Sequence, residues 1–203
     1  MLVELWPPFG LSLAAGMLDL NYIFQREAKR TLEIGFGSGH SLLEIAKAQP
    51  EQDFIGIEMY QPGVGTLLLG IEEQDIKNIR VYYADAVEVI QQCIPDASLD
   101  GIQLFFPDPW PKRRHHKRRL IQPEFVKLVT SKLKVGGILH LATDWEHYAQ
   151  QMMTVLSANA DLVNLAGVGE YAARSSQRPI VTKFEGRGTR NGRLIRELQF
   201  VRD

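Results

Sequence analysis

The stretch TLEIGFGSG, residues 31–39, places a short apolar run directly before three closely spaced glycines. Such a run is typical of a buried strand, and glycines at its end allow a tight turn and close approach of the backbone to a ligand. The next segment, SLLEIAKAQ (41–49), has the apolar spacing of a helix, which Pro50 ends. Strand, glycine turn and helix in this order predict the first unit of an α/β sheet.

The same alternation continues to about residue 158. Further strands are predicted at 53–58, 78–85, 99–106 and 136–144, and further helices at 65–77, 86–93, 123–134 and about 145–158. Short, nearly all-apolar strands separated by helices indicate parallel pairing with both sheet faces covered. The fold class is therefore predicted to be α/β, with a doubly wound, mainly parallel sheet. After the alternation stops, only RELQFVRD (196–203) again has the pattern of a strand.

The composition is that of an ordinary globular protein, with 203 residues, 45% hydrophobic and 23% charged. We see no linker, repeat or low-complexity segment, so we expect residues 1–203 to form a single domain. No apolar run reaches the roughly 18 residues of a membrane-spanning helix, and the start lacks the pattern of a signal peptide. Cys93 is the only cysteine, which excludes an internal disulfide and argues against a zinc site. We expect a cytoplasmic protein.

Acidic residues recur where the predicted strands end: Glu33, Glu58, Asp85, Asp108 and Asp144. The carboxyl ends of parallel strands share one edge of the sheet, and ligands of such folds bind there. Glu58 follows the glycines by about 20 residues, where a carboxylate can accept hydrogen bonds from ribose hydroxyls. The alternative is that Glu33 and Asp85 only cap turns.

The glycine spacing is G-x-G-x-G, which departs from the G-x-G-x-x-G pattern of dinucleotide binding. With the acids, it resembles the class I S-adenosylmethionine-dependent methyltransferases, which have a Rossmann-like, seven-stranded, mainly parallel sheet. The resemblance implies that Gly35, Gly37 and Gly39 lie close to the methionine part of the cofactor. It also implies Glu58 on the ribose and Asp85 near the adenine amino group. A cationic ligand suits an acidic edge better than a pyrophosphate does.

A second motif, FFPDPWPKRRHHKRR (105–119), combines a stiff turn with a basic block. Pro107 and Pro109 fix the backbone on either side of Asp108, and Trp110 offers a ring on which a base can stack. The block contains six Lys and Arg residues in a chain of formal net charge -1: Lys112, Arg113, Arg114, Lys117, Arg118 and Arg119. A charge run alone is most often a solvated loop, but beside a ligand edge it favours phosphate binding.

His115 and His116 are interpreted as part of the same RNA-facing surface. Adjacent histidines without a carboxylate cluster make a poor metal site, so no metal is expected.

FFPDPWPK, the basic block, ATDWEHYA (142–149) and RPIVTKFEGRG (178–188) together resemble the tRNA (guanine-N7-)-methyltransferase family. The match runs from roughly Leu5 to the C-terminus, with the motifs in the same order. The resemblance implies methyl transfer from S-adenosylmethionine to N7 of guanine 46 in the tRNA variable loop. Two departures are a shorter start and Arg196 where the family usually has Trp before the acidic residue.

The resemblance also implies roles for individual residues. Asp108 would be the catalytic residue, and the cofactor would be bound by Glu33, Gly35, Gly37, Gly39, Glu58, Asp85 and Asp108. The target nucleotide would be held by Lys112, Asp144, Thr182, Lys183, Phe184 and Glu185. The tRNA would be contacted by Arg114, His115, His116, Lys117, Arg118 and Arg119. From position alone, Asp144 is equally consistent with an N-cap of the helix that follows it.

Three alternatives remain open from the residues. The first is a class I methyltransferase that acts on another RNA or on a small molecule, and the second is a non-catalytic RNA-binding remnant. An NAD-dependent oxidoreductase is the third, and the glycine spacing argues against it.

Overall fold

The structure is a computed structural model that describes residues 2–175, 178, 181, 183–190 and 192–203. Side chains are described for all of these except 2–4, 183, 184 and 187. The described strands are β1 Gly10–Leu11, β2 Lys29–Ile34, β3 Gln52–Glu58, β4 Ile79–Tyr83, β5 Leu99–Phe105, β6 Leu133–Thr143, β7 Leu162–Asn164 and β8 Arg196–Arg202. The α-helices are α1 Leu2–Phe9, α2 Leu20–Phe24, α3 His40–Ala48, α4 Gln61–Glu73, α5 Ala86–Gln92, α6 Pro123–Lys132, α7 Glu146–Ser157 and α8 Lys183–Arg190. Two 3-10 helices cover Leu13–Ala15 and Arg113–Arg118.

Within the described residues, the strands form one sheet in the order β1-β4-β3-β2-β5-β6-β8-β7. All pairs are parallel except those that β8 makes with β6 and β7. The predicted doubly wound, mainly parallel sheet is confirmed, and the two-residue β1 adds an eighth strand to the expected seven. The order reverses between β2 and β5, so the ligand crevice is expected where these two strands end.

Both faces of the sheet are covered, as the apolar strands predicted. Leu32 and Ile34 of β2 belong to a core cluster that also contains Val89 of α5, Val126 of α6 and Met152 of α7. A second cluster joins residues of α3 and α4 to the opposite face of the sheet. Because side chains alternate along a strand, Glu33 points away from the first cluster and toward the α3 side.

The predicted elements are confirmed in type, but several boundaries shift and some elements were missed. The strand predicted at 78–85 ends at Tyr83, because Asp85 is the N-cap of α5. The prediction placed no elements at α1, α2, β7 or α8, and it assigned no helix to the basic block. Among the described residues, no helix is long and apolar enough to cross a membrane, and no cluster of three or more metal-ligating side chains occurs.

Candidate active site

The glycine turn after β2 adopts a backbone that favours glycine. Gly35, Gly37 and Gly39 have φ angles of 74°, 60° and 75°, all in the left-handed region. At Gly35 and Gly37, an added Cβ would meet no described atom within 4 Å, so the space above the turn is open. Gly63 of α4 packs directly beneath it, where a Cβ would lie 1.9 Å from the carbonyl oxygen of Gly37. The turn is therefore open to a ligand on one side and closely packed on the other.

Glu33, immediately before this turn, is a buried carboxyl group with an incomplete set of hydrogen bonds. Its side chain is 4% exposed, and no described residue donates a hydrogen bond to its Oε2. Burial raises the pKa of Glu33 to about 7; nearby Arg178 opposes the rise and Glu58 adds to it. A buried carboxyl group that lacks partners fits a cationic ligand group, because the ligand would supply both charge and donors.

Glu58, at the end of β3, joins two turns. Its Oε2 accepts a hydrogen bond from the amide of Gly37 at 2.8 Å, and its Oε1 accepts from the amides of Met59 at 2.7 Å and Tyr60 at 2.9 Å. The carboxylate is thereby fixed at the ligand edge, beside the exposed side chains of Met59 and Tyr60.

Asp85 is the N-cap of α5, as its capping alternative predicted. Its Oδ1 accepts hydrogen bonds from the amides of Val87 at 2.9 Å and Glu88 at 3.2 Å. Its Oδ2 accepts no hydrogen bond from the described residues, and the side chain is exposed at the carboxyl end of β4. Capping thus uses one oxygen and leaves the other available to a ligand.

Asp108 is exposed in a strained turn after β5. Phe106 and Trp110 have φ angles of 53° and 41°, which are unusual for residues other than glycine. Within the described residues, the Asp108 side chain makes no hydrogen bond or ion pair. Leu104 of β5 pairs with Ile34 of β2, so this turn and the glycine turn leave the sheet side by side. The strand pairing therefore brings the two sequence motifs to one crevice.

The basic block has regular structure rather than the form of a loop. Residues 113–118 form a 3-10 helix, and the side chains of Lys112, Arg113, Arg114, Lys117 and Arg118 are exposed. The guanidinium of Arg118 lies 4.9 Å from the centre of the Trp110 ring, and the half-buried ring of His115 meets Trp110 edge-on at 5.9 Å. His116, also half-buried, contacts His147 of α7 at a ring distance of 4.7 Å.

Arg119 departs from its neighbours. Its side chain is only 2% exposed, and its Nε donates a hydrogen bond to the carbonyl of Pro109 at 2.8 Å. The interpretation of Arg119 as part of the RNA-facing surface needs correction, because the buried guanidinium makes its contacts within the protein.

Asp144, at the carboxyl end of β6, is paired with a distant residue. Its Oδ2 accepts a hydrogen bond from Nη1 of Arg193 at 2.9 Å. The N-cap of α7 is Trp145, so the interpretation of Asp144 as the N-cap is wrong. The pair borders a cavity of about 640 Å³ between α7 and the start of β8.

Arg178 and its partners form a buried cluster that sequence reasoning missed. Arg178 is 1% exposed, donates hydrogen bonds to Glu185 and Glu197, and lies over the rings of Phe105 at 5.0 Å and Phe106 at 5.2 Å. The cluster fastens the RPIVTKFEGRG motif to the strand end that carries Asp108. The spacing of the motif does not indicate that its first residue, Arg178, is the buried centre of this cluster.

Glu185 and Glu197, the two carboxylates of this cluster, also interact with residues other than Arg178. Glu185 is 4% exposed and also accepts a hydrogen bond from Arg174 at 2.8 Å. Glu197 lies 2.7 Å from Nε2 of His140. Burial raises the pKa of Glu197. The hydrogen bonds from His140 and Ser175 and the charge of Arg178 lower this pKa by more than burial raises it, so the net shift is downward.

Three residues expected at the target nucleotide have no side-chain description. Thr182 lies outside the described residues, and for Lys183 and Phe184, which open α8, only the backbone is described. Their expected roles remain predictions.

Comparison with known proteins gives a consistent result. A family model with the description "Putative methyltransferase" matches residues 27–198. A tRNA (guanine-N(7)-)-methyltransferase of Idiomarina loihiensis is 57% identical over 197 residues, which cover 97% of this chain and 80% of that protein. The protein of the same name from Nitrosococcus oceani is 54% identical over 201 residues, which cover 99% of this chain and 83% of the relative.

Solved structures with the same fold are more distant in sequence. The 16S rRNA methyltransferase KamB superposes with a TM-score of 0.66 at 11% identity, over 92% of this chain and 95% of that one. The 30S ribosomal A1408 methyltransferase from an uncultured bacterium gives 0.64 at 16% identity, over 95% of both chains. At such identities the likeness concerns the fold alone.

Proposed function

Because this chain belongs to the tRNA (guanine-N(7)-)-methyltransferase family, we propose that it transfers a methyl group from S-adenosylmethionine to N7 of a guanine in tRNA. The proposed target is guanine 46 of the variable loop. The observation that carries the proposal is the meeting of two motifs at one crevice: the glycine turn with Glu33, and the strained turn with Asp108. We further propose that the chain acts as one domain in the cytoplasm.

The residues of the crevice fit S-adenosylmethionine, a cation with an ammonium group, a ribose and an adenine. Glu33 would accept hydrogen bonds from the ammonium group through its unpartnered Oε2. The open space above Gly35 and Gly37 admits the methionine part. Glu58 would accept from a ribose hydroxyl through Oε2, which accepts one hydrogen bond from the described residues, whereas Oε1 already accepts two. Asp85 would accept from the adenine amino group through Oδ2. When bound, the cofactor supplies an electrophilic methyl group.

The reaction requires orientation more than acid–base catalysis. Guanine N7 carries an available lone pair, so no residue has to remove a proton before attack. Methylation at N7 would leave a positive charge on the purine. Asp108 is the proposed catalytic residue, either by stabilising this charge or by orienting the amino edge of the base. Its carboxylate suits both roles, because no described residue is paired with it.

We propose that the target nucleotide lies between the Asp108 turn and Asp144. Lys112, exposed at the start of the basic 3-10 helix, would contact its phosphate. Thr182, Lys183, Phe184 and Glu185 would complete the site. Glu185 already accepts hydrogen bonds from Arg174 and Arg178, so any contact with the guanine edge would use a remaining lone pair. The remaining residues of the basic surface would meet the tRNA backbone: Arg114, His115, His116, Lys117 and Arg118.

The test is to incubate the purified chain with unmodified tRNA transcripts and methyl-labelled S-adenosylmethionine, and to analyse the nucleosides by mass spectrometry. We expect N7-methylguanine with the natural chain. Asp108→Asn should lose turnover far more than cofactor affinity, and equal losses of both would assign Asp108 to binding only. A transcript with adenine at position 46 should remain unmethylated. Cofactor binding without product would overturn the proposed substrate, and tRNA binding without cofactor binding would indicate an RNA-binding remnant.

A further inference from the structure

We propose that Arg119 is a positioning residue for Asp108 and that it does not contact RNA. The inference rests on the proposed function, and it concerns a residue whose sequence context predicts the opposite role. Arg119 follows a run of exposed bases, yet its own side chain is 2% exposed.

The guanidinium of Arg119 holds the turn next to Asp108. Its Nε donates to the carbonyl of Pro109 at 2.8 Å, and that carbonyl belongs to the peptide group between Pro109 and Trp110. The orientation of this peptide group depends on the φ of Trp110, which is 41°. Left-handed φ values cost on the order of 1–3 kcal/mol in residues other than glycine, and surrounding contacts must maintain them. The hydrogen bond from Arg119 is one such contact.

The other side of the guanidinium is anchored to α7. Its Nη1 donates to Oε1 of Gln151 at 2.6 Å and lies 3.1 Å from Nδ1 of His147. The plane lies over the ring of Tyr148 at 4.7 Å. Ile121 completes the set of contacts, because its amide donates to the Tyr148 hydroxyl at 3.1 Å and its carbonyl accepts from Gln151 at 3.0 Å. Arg119 therefore links the Asp108 turn to a rigid helix.

The burial of this cation is expected to cost stability. Within the described residues, Arg119 has no carboxylate partner, and its Nη2 is buried without a hydrogen-bond acceptor. Burial also lowers the pKa of Arg119, and Tyr148 only partly opposes this shift. A buried cation without a counter-charge is unfavourable, so an apolar residue would serve better if filling space were the only need. The planar guanidinium of Arg donates in two directions at once, from Nε to the Pro109 carbonyl and from Nη1 to Gln151 of α7. The single ammonium group of Lys does not have this fixed geometry.

The decisive variant is Arg119→Lys, which keeps the charge but not the two-directional contact. If Arg119 positions Asp108, kcat should fall on the order of 10- to 100-fold, since small displacements of a catalytic group have effects of that size. KM for tRNA and the dependence of kcat/KM on salt should stay within about twofold of the natural chain, because the variant leaves every phosphate-binding side chain in place. A raised KM, a shallower salt dependence and an unchanged kcat would overturn the proposal in favour of an RNA contact.

Arg30→Lys is a matched control. Arg30 is also a buried arginine, 7% exposed, but it lies at the amino end of β2, away from the crevice. We expect it to lose stability without loss of kcat. A kcat loss no larger in Arg119→Lys than in this control would mean that general destabilisation explains the effect.

A readout that does not depend on activity separates this inference from the proposed function. Hydrogen exchange at the amides of Asp108 and Trp110 should accelerate in Arg119→Lys and not in Arg30→Lys. If Arg119→Lys fails to fold, Gln151→Ala, which removes one anchor, should give the same pattern at a smaller amplitude. Unchanged exchange at both amides in a folded variant would overturn the inference, even if the natural chain methylates no tRNA. A natural chain without activity would instead overturn the proposed function.

Discussion

Nη1 of Arg193 lies 2.9 Å from Oδ2 of Asp144, and the same guanidinium lies over the ring of Trp145 at 4.8 Å. The pair joins two residues far apart in the chain and closes one side of the cavity between α7 and β8. Asp144 can accept hydrogen bonds from a guanine in two ways. Either it keeps the hydrogen bond from Arg193 and uses its remaining lone pairs, or its ion pair with Arg193 breaks.

We expect Arg193→Ala to change the free energy of unfolding by less than about 1 kcal/mol, because the Arg193 side chain is 42% exposed and exposed ion pairs are weak. Asp144→Asn should lower kcat/KM for tRNA on the order of 10-fold or more, as expected for loss of a charged hydrogen-bond partner. Urea unfolding and steady-state kinetics measure the two effects. Full activity of Asp144→Asn would remove this residue from the site.

Because of Glu33, we expect the free energy of unfolding to decrease as the pH rises toward neutrality. Its pKa is about 7 in the folded protein, whereas the ordinary value is 4.5, so the folded state keeps a proton that the unfolded state loses between these values. The stabilisation from this proton should therefore be complete below about pH 4.5 and fall as pH rises to about 7, by on the order of 3 kcal/mol. Urea unfolding of the natural chain and of Glu33→Gln, compared across this range, isolates the contribution.

The same proton should affect ligand binding. A cationic ligand favours the ionised carboxylate, so affinity for S-adenosylmethionine should increase as pH rises from about 6 to 8. Calorimetry should show proton release on binding in this range, and Glu33→Gln should show neither effect. A pH-independent affinity in the natural chain would contradict the proposed contact between Glu33 and the ammonium group.

Gly63 should be intolerant of any side chain. A Cβ would lie 1.9 Å from the carbonyl oxygen of Gly37, so Gly63→Ala must displace the glycine turn or α4. We expect a destabilisation of about 1–3 kcal/mol and a loss of cofactor affinity. Gly65, in the same helix, is a matched control, since a Cβ there would meet no described atom within 4 Å. Equal cofactor affinity in the two alanine variants would contradict the close packing beneath the turn.

Glu185→Gln should affect both stability and activity. The change weakens the buried contact with Arg178 and the partly exposed contact with Arg174. Removing one partner of a buried pair costs on the order of 3–5 kcal/mol. Activity must therefore be measured well below the melting temperature of the variant. If Glu185→Gln then keeps full activity on guanine, the proposed contact with the guanine edge is wrong and the role of Glu185 is structural.

The exposed basic side chains of the block should determine how tRNA affinity depends on salt concentration. Replacing Arg114, Lys117 and Arg118 by Gln should weaken tRNA binding and reduce the slope of log affinity against log salt by about 0.7–0.9 for each phosphate that the variant no longer neutralises. Filter binding over a range of salt concentrations measures this slope. Lys127→Gln, an exposed change on α6 outside the basic block, should leave the slope unchanged.

The sequence predicted the elements that depend on local pattern and the edge at which they meet. Parallel strands made it possible to expect Glu33, Glu58 and Asp85 along one edge of the sheet, because this follows from topology alone. Their separate environments were not predictable: Glu33 is buried with an unpartnered oxygen, whereas Asp85 is exposed and caps a helix.

Residues whose roles depend on distant partners were misread or missed. Arg119 has the sequence context of a surface cation, but contacts with residues distant in the chain, such as Gln151 of α7, bury it. The position of Asp144 immediately before a helix predicts an N-cap, but its carboxylate instead accepts a hydrogen bond from Arg193. The structural role of Arg178 depends on its hydrogen bonds to Glu185 and Glu197 and on its contacts with two aromatic rings. Periodicity and local motifs carry no information about such long-range pairings.

The short strands at the two margins of the sheet have a consequence for solubility. β1 pairs with β4 over two residues, and β7 pairs with β8 over three. A long, unpaired margin would be a template on which strands of other molecules could add by backbone hydrogen bonds. The terminal strands β1 and β7 themselves offer only two and three residues, which is a short ladder for a foreign strand. We therefore expect the two short terminal strands to disfavour growth of the sheet by addition of strands from other copies of the chain.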